Sequence, residues 1–552
     1  MPVAPRAVLR RDEQVDRLPE RVDVLVIGGG ITGVGVALDA ASRGASVALV
    51  ERGDLASGTS SRSSRLVHGG ARYLATGDVA MVAEGVRERD RLRRMAPHLV
   101  LPLPFVIPTD SSLDLALLRV GMTVYDALAA GRGVAHHDRL DAAGVLAAAP
   151  GLARGLRRGG VRYWDCRTDD ARLTLEVARA AIAEGAVVAT HTEVVDLHRV
   201  SGRVVGAELR DVLTGATRTI SARWTVSASG VWAGAVRQLD DPTSDELAVL
   251  PVRGVHLVFD RGELPINAAI VLPSAAGDGR RLFAIPWGEQ VYVGTTDDLH
   301  DHGLDDPSLL PTDAAYVLEA TNTAFGTDLT VSDAVGAWAG LRPLLAGGDG
   351  STTSDLSRRH TIVEGPSGLV SITGGKLTTF RRMAADVVDR LARAEGWPRR
   401  SRTTRTALGS RGSVAEGRER LRGSEAAASA GLDPSLLGGL HHRHGDRAAD
   451  VLAACVAHGE LAPLVPGLPY LRGEARWAVR HELVGRLDDL LQRRLRVSTR
   501  HRQAGGAEAV AWCADLLAGE LGWSDDRREA EIAHYLAAVR TERGVVPLPA
   551  GS

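Results

Sequence analysis

The chain contains a single lysine. Every other one of its 66 fixed cations is arginine, and Lys376 sits in "TGGKLTTF", after two glycines. The abundance of Ala, Gly, Val and Arg reads as a base-composition bias, so the scarcity of lysine says less than the place where it survives. Cysteine is nearly as scarce. Cys166, Cys455 and Cys513 lie far apart with no C-x-x-C, which argues against a disulfide framework and a cysteine zinc site and points to a reducing compartment. Excess charge is missing too: a net charge of -2 gives no reason to expect nucleic acid as a partner. Long apolar runs are absent. The nearest approach to a membrane span, "VLVIGGGITGVGVALDAA" from Val24 to Ala41, has the length, but a glycine cluster divides it into strand, turn and helix.

What is present fits a soluble globular chain: 552 residues, 44% hydrophobic and 24% charged, enough for two or three domains. Residues 1–20 read as a polar extension without the apolar core of a secretion signal, so a cytoplasmic location is expected. Residues 21–395 carry the strand-rich pattern, 396–412 form a basic, turn-rich linker, and 413–545 read as helical. In that last part Trp477, Leu483, Val484, Leu487, Leu490, Leu491 and Leu495 are expected to form one apolar stripe. Leu113 to Ala129 is apolar enough to lie on lipid and equally reads as an ordinary packed helix.

Val22 to Ile27 is a short apolar strand, followed by Gly28, Gly30 and Gly33 in G-x-G-x-x-G. Val34, Ala37, Leu38 and Ala41 then recur at helical spacing, and a second strand from Val47 to Val50 ends at Glu51. This is a βαβ dinucleotide-binding pattern. The first glycine permits the tight turn and the second lets the backbone approach a pyrophosphate at the helix N-terminus. The third lets helix and strand pack, and the acid accepts from a ribose. Further on, Val255 to Phe259, Arg281 to Pro286 and Gln290 to Gly294 read as antiparallel strands. Leu369 to Thr373 is one more strand, running into Gly374, Gly375 and a helix expected from Lys376.

The densest polar constellation is "SRSSRLVHGGARYL". Gly69 and Gly70 would let the backbone come close to a flat ring. His68 beside them reads either as a base for a substrate hydroxyl or as a structural hydrogen-bonding residue. Arg342 in "AGLRPLL" and Arg358 in "SDLSRRHTIVEG" need specific partners, an internal carboxylate or an anionic substrate. Two histidine clusters are set aside. His481-Glu482 lacks the second histidine of H-E-x-x-H, where Gly485 stands, and "HHRHG" lies at a helix end, so no metal site is expected.

Together the landmarks resemble the FAD-dependent, quinone-linked glycerol-3-phosphate dehydrogenase family. The matching pieces are "VIGGGITGVGVALDAASRG", "SSRSSRLVHGGARYL", "MAPHLVLPLPF", "DCRTDDARL", "IPWGEQVYVGTTD", "GLRPL" and "TGGKLTTFR", in order from Asp23 to Arg382. "VRHELVGRLDDLLQRR" looks like the family's helical cap. The resemblance implies an α/β fold: a glutathione-reductase-type FAD-binding domain, an antiparallel-sheet substrate domain and a C-terminal all-α cap. It implies oxidation of sn-glycerol 3-phosphate to dihydroxyacetone phosphate by hydride transfer from C2 to flavin N5, with electrons passed to a membrane quinone.

Residue by residue, the resemblance places Gly28, Gly30, Gly33, Glu51, Thr59, Ser60, Ser61, Ser64, Gly69, Gly374, Gly375, Lys376, Leu377 and Thr378 around FAD. Arg72, Tyr73, Arg342, Arg358 and Lys376 match positions around the substrate. His68, Lys376 and Arg342 are the catalytic expectations, with His256 a second candidate base. Some positions depart from the family pattern. Arg65 and Arg253 stand where lysine is common, and "SASGVWAG" stands where an Asn-Ala-Thr-Gly-type turn is expected. An oxidase that reduces oxygen and a non-catalytic flavin-binding regulator are the alternatives. Contact with the inner face of the cytoplasmic membrane and a homodimer are compatible with the sequence, which selects neither.

Lysine offers a compact ammonium on a flexible stem where a guanidinium is wide and forked. Lys376→Arg is therefore expected to fold and to bind FAD but to lose most turnover, as steady-state assay of the flavin-loaded protein would show; near-normal activity would mean that only the charge matters.

Overall fold

The structure is a computed structural model that describes residues 9–74, 77–129, 134–156, 158–241, 249–345, 359–398 and 400–549. Among these residues two sheets form. The first is built on the parallel strands Arg21–Ile27, Val47–Val50, Val187–Ala189, Thr217–Ser227 and Val370–Gly374. Val24, Val26 and Leu49 are fully buried, as befits a parallel sheet covered on both faces. Helix Ile31–Ser42 lies against helices Asp170–Ala183 and Phe380–Glu395. Because the strands are parallel, Ile27, Val50, Ser227 and Gly374 all end at one edge of the sheet, where such folds bind ligands.

The second sheet centres on Val249–Asp260, which pairs antiparallel with Gly336–Leu345 and Gln290–Gly294. Arg281–Trp287, Ala269–Pro273, Leu101–Thr109 and Gly159–Arg167 follow across it. One pair, Ala269–Pro273 with Leu101–Thr109, is parallel, so the expected antiparallel sheet is mixed at that point. Leu257 and Phe259 pack under helix Pro311–Phe325, while Val258 faces helices Val79–Met95 and Ser112–Ala129. His256 shares the period-two face of Val258.

Two sequence expectations are corrected. The α-helix after Gly375 begins at Phe380, because Leu377–Thr379 form a 3-10 turn first. The stripe from Trp477 to Leu495 is not one helix. Helix Arg472–His481 stops at Glu482, Leu483 takes a positive φ of 59°, and Asp489–Arg494 is π-helical. The break has a physical cause: the Asp489 carboxylate accepts from the Gly485 and Arg486 amides, and the Glu482 carbonyl accepts from Arg494. Leu483 then packs into the core of the first domain and Trp477 into a separate helical cluster. Residues 9–20 are packed as well, with Arg11 donating to the Thr190 carbonyl at 3.2 Å and pairing with Asp211 at 2.7 Å.

The C-terminal helices dock through a buried seam of ion pairs. Arg494 grips Asp54 with two hydrogen bonds of 2.6 and 2.8 Å, just past Glu51. Arg496 meets Asp169 at 2.9 Å, and Arg172 meets Glu482 at 2.9 Å. Burial opposes the charge of Glu482, but Arg172 and His444 bring its carboxyl down to about 2. A depressed carboxyl contributes stability above its unfolded value near 4.5 and loses it as pH falls toward 2. Glu482→Gln should therefore lower unfolding free energy at pH 7 by about 3 kcal/mol, through the unpaired Arg172, and flatten the acid limb between pH 4.5 and 2. Denaturant titrations across that range check both parts.

Candidate active site

A cavity of about 600 Å³ opens at the carboxyl edge of the first sheet. Gly28, Gly30, Glu51, Thr59 and Ser60 line one end, and Gly374, Gly375, Lys376 and Leu377 the other. Gly28 has φ +112°, and a Cβ there would stand 2.7 Å from the Ala228 carbonyl oxygen. Glu51 accepts from the Gly29 and Gly53 amides at 2.6 and 2.8 Å, which fixes its carboxylate at the wall. No side chain of the capping residue Gly30 closes helix Ile31–Ser42, so its N-terminus faces the cavity with only Ser60 Oγ on the Ile31 amide, at 2.9 Å.

Beyond Lys376 lies a crowd of cations. Lys376 Nζ is 3.9 Å from the centre of the Tyr73 ring. Arg72 donates to the Tyr73 hydroxyl at 3.2 Å. Arg342 donates to Asp297 at 2.9 Å, the Thr296 carbonyl at 3.1 Å and Thr295 Oγ1 at 2.9 Å, lying across Gly254, where a Cβ would collide with it. Burial and the Arg72 charge push the Lys376 ammonium down to about 8. Burial, Lys376 and Arg72 push the His68 imidazole to about 3, so it is neutral at pH 7. Arg359 is held by Asp78 at 3.0 Å, and Arg358 lies outside the described residues.

His256 is buried within strand Val249–Asp260 of the second sheet. Its Nε2 is 2.9 Å from Ser64 Oγ and its ring stacks on Trp338 at 4.6 Å. Burial, with Arg342 and Arg65 beside it, holds the imidazole well below its ordinary range.

Several expected cofactor residues serve the loops rather than the cavity wall. Gly33 packs on the Gly28 carbonyl. The Ser61 carbonyl accepts from Arg496 at 3.0 Å, and Thr378 Oγ1 accepts from the His68 amide at 3.2 Å. Gly69 points its amide at the Tyr125 hydroxyl and Asp165, both at 3.1 Å, because Arg89 gathers those two groups behind the loop. Arg253 turns away to Asp313 at 2.9 Å. Sequence reasoning missed Tyr125, Asp165 and Arg89. Tyr125 shares the inward face of its helix with Met122 and Ala129, a readable periodicity, and Asp165 stands in "DCRTDD"; Arg89 is one arginine among several in its helix, without a signal.

A parallel sheet with a glycine turn, a terminal acid and an open helix N-terminus is the geometry of a dinucleotide-binding domain. Residues 23–381 match the FAD dependent oxidoreductase family, and residues 401–528 match the C-terminal domain of alpha-glycerophosphate oxidase. The chain is 41% identical over 530 residues to a glycerol-3-phosphate dehydrogenase of Mycobacterium leprae, covering 95% of this chain and 89% of that one. The crystal structure of the glycerol-3-phosphate dehydrogenase from Bacillus halodurans complexed with FAD is similar, with TM-score 0.79, 29% identity and 98% of both chains covered. L-alpha-glycerophosphate oxidase from Mycoplasma pneumoniae shares the fold, with TM-score 0.54 and 18% identity over 68% of this chain and 95% of that one.

The chain therefore belongs to the FAD-dependent oxidoreductases. Within them it is a member of the glycerol-3-phosphate dehydrogenase family. Its own residues fit FAD. Glu51 is fixed for the ribose, the open helix end suits the pyrophosphate, and the cavity continues to Gly375, where the flavin ring system would lie. Gly28→Ala is expected to cost about 1–3 kcal/mol of local strain and to leave the purified protein largely free of flavin, while the far-ultraviolet spectrum of the rest persists. The ratio of absorbance at 450 and 280 nm measures it.

Proposed function

We propose that this chain oxidises sn-glycerol 3-phosphate to dihydroxyacetone phosphate, with bound FAD supplying the hydride acceptor at N5 for the C2 hydrogen and a membrane quinone taking the electrons. The observation that carries the substrate is the cation cluster around Tyr73. Burial and the Arg72 charge both work against the charged forms of Lys376 and Arg342, with Asp297 offsetting them at Arg342. A dianionic phosphate favours those charged forms and accepts bidentately from arginine, whereas an amine substrate would add a fourth positive charge. Arg72 and Arg342 hold the phosphate, Lys376 reaches the hydroxyls, and neutral His68 accepts the hydroxyl proton. His256, with Ser64 on its far nitrogen, is the second candidate base.

The quinone reading draws on helix Ser112–Ala129. Leu113, Leu117, Val120 and Val124 recur along its outer side, exposed by 70, 62, 65 and 41%. No helix of the described residues is long and apolar enough to cross a membrane. Such a row suits the surface of a bilayer, where a quinone dissolves, on the cytoplasmic side. Its inward side reaches the site through Tyr125 and Gly69.

Glycerol 3-phosphate, but not glycerol, should bleach the yellow protein anaerobically; no bleaching by the phosphate would sink the reading. Rapid reoxidation by air rather than by a quinone analogue would favour the oxidase alternative. Activity should fall as pH rises through about 8, where Lys376 loses its proton, and that limb should be gone in Lys376→Arg. Leu117→Glu with Val120→Glu should reduce co-sedimentation with lipid vesicles at least about tenfold and leave bleaching intact.

A further inference from the structure

The serine-rich loop carries a cation to which nothing is hydrogen-bonded. Arg65 is 2% exposed, and its Nε, Nη1 and Nη2 have no hydrogen-bond partner among the described residues. The nearby carboxylates are already engaged. Asp169 and Asp170 pair with Arg496, and Asp170 also accepts from Ser63. Burial lowers the guanidinium only to about 10, so it stays charged at neutral pH. What receives it instead is a corner of two indoles. Its central carbon lies 3.8 Å from the Trp287 ring centre and 4.2 Å from that of Trp338, and the two rings meet at 75°. A flat, weakly hydrated guanidinium suits such a corner.

Trp338 is also the ring on which His256 stacks, with only 15° between the planes. Ser64, the residue before Arg65, holds His256 Nε2 at 2.9 Å. The imidazole is thus fixed from two directions, and both lead back to Arg65. Arg500 of the C-terminal helices also meets Trp287, its central carbon 4.6 Å from the ring centre, and donates to Gln290 at 3.0 Å. A row runs from His256 through Trp338, Arg65 and Trp287 to Arg500. The charged groups facing His256 are Arg65 on the loop and Arg342 on the neighbouring strand, with the Tyr292 ring edge-on at 5.9 Å. No carboxylate pairs with it among the described residues, and its Nδ1 is buried without a partner there.

We infer that Arg65 is a positioning residue for His256: through Trp338 and Ser64 it fixes the plane of the imidazole. With Nε2–H given to Ser64 Oγ, the lone pair is on Nδ1. The inference rests on the second reading of the proposed function, in which His256 rather than His68 accepts the hydroxyl proton of glycerol 3-phosphate. It also gives the C-terminal domain a part in the site, because Arg500 meets the ring that receives Arg65.

The test uses flavin-loaded Arg65→Met, Arg65→Lys and Trp287→Phe. Two measurements are made: the pH profile of kcat/KM per bound flavin, and the titration of His256 by NMR of histidine-labelled protein without substrate. His256→Asn assigns the signal. In Arg65→Met kcat/KM should fall about tenfold, and the ring should titrate higher than in the native protein, with the acid limb of kcat/KM moving up with it. Arg65→Lys should keep the titration of the native protein, because the charge remains, and still lose about tenfold in kcat/KM, because the planar contact is gone. A purely structural role would lower flavin content and thermal midpoint without moving either titration. An Arg65→Met protein with an unmoved ring titration and kcat/KM within about twofold of native overturns the inference. Should that variant not fold, Trp287→Phe, which opens the corner and keeps the Arg65 charge, should lower kcat/KM about tenfold with the ring titration unmoved; kcat/KM within about twofold of native there overturns the inference. A ring titration that moves while the kinetic limb stays put would support Arg65's hold on His256 and remove His256 from the substrate.

Discussion

Like-charge crowding around Tyr73 is the constraint on which the site depends. Lys376, Arg72 and Arg342 reach this ring from the Gly375 turn, the His68 loop and the second sheet, and each lies within the field of another. Left to themselves they would spread into solvent. They are held because each is fixed from behind. Arg342 is clamped by Asp297 and the Thr295–Thr296 turn over Gly254, and Arg72 by the Tyr73 hydroxyl. Lys376 follows a strand end that packing has already fixed. On the proposed function, an anion relieves this crowding, so part of the cost of assembling the cluster would be returned as affinity for a phosphate.

The same logic explains why so much buried charge lies away from the cavity. The seam of Arg494 on Asp54, Arg496 on Asp169 and Arg172 on Glu482 is an expensive way to join two domains, because ions leave water to form it. Its geometry gives it another use. Asp54 follows Glu51 by three residues, and Asp170 holds Ser63 just past Ser60, so the seam braces two parts of the cavity wall. An apolar seam could slide; forked guanidinium contacts set a register.

Much of this was legible in the sequence, for reasons of local geometry. Gly28, Gly30 and Glu51 announce themselves because the turn, the helix start and the strand end lie within one short stretch, where spacing alone fixes shape. Arg342 could be flagged by its apolar neighbours, which demand a partner. Gly69 shows how a second demand can hide behind the first. A glycine beside a candidate base reads as clearance for a ring ligand, and the fold also needs clearance there for the Tyr125 hydroxyl, which would stand 2.3 Å from a Cβ. That partner comes from a distant helix whose apolar outer side drew attention away from its polar inner residue. The indole corner of Arg65 was invisible for the same reason, since Trp287 and Trp338 come from other strands far along the chain. The broken stripe at Glu482 was hidden because tertiary hydrogen bonds, not propensity, end that helix.

The contrast between Arg65 and Lys376 sharpens what the lone lysine means. Both cations are largely withdrawn from water, and both lie against aromatic rings. At position 65 the cation meets two indole faces and no acceptor, which is the environment a plane of delocalised charge fits best. At position 376 the cation approaches one ring at the rim of an open cavity, with Gly70 beneath it, a Cβ on which would lie 3.7 Å from Nζ. A guanidinium there would spread over the same ring and close the approach. The chain thus gives a planar cation a closed indole corner, and keeps its one point charge for the cavity wall where, on the proposed function, a small anion comes in.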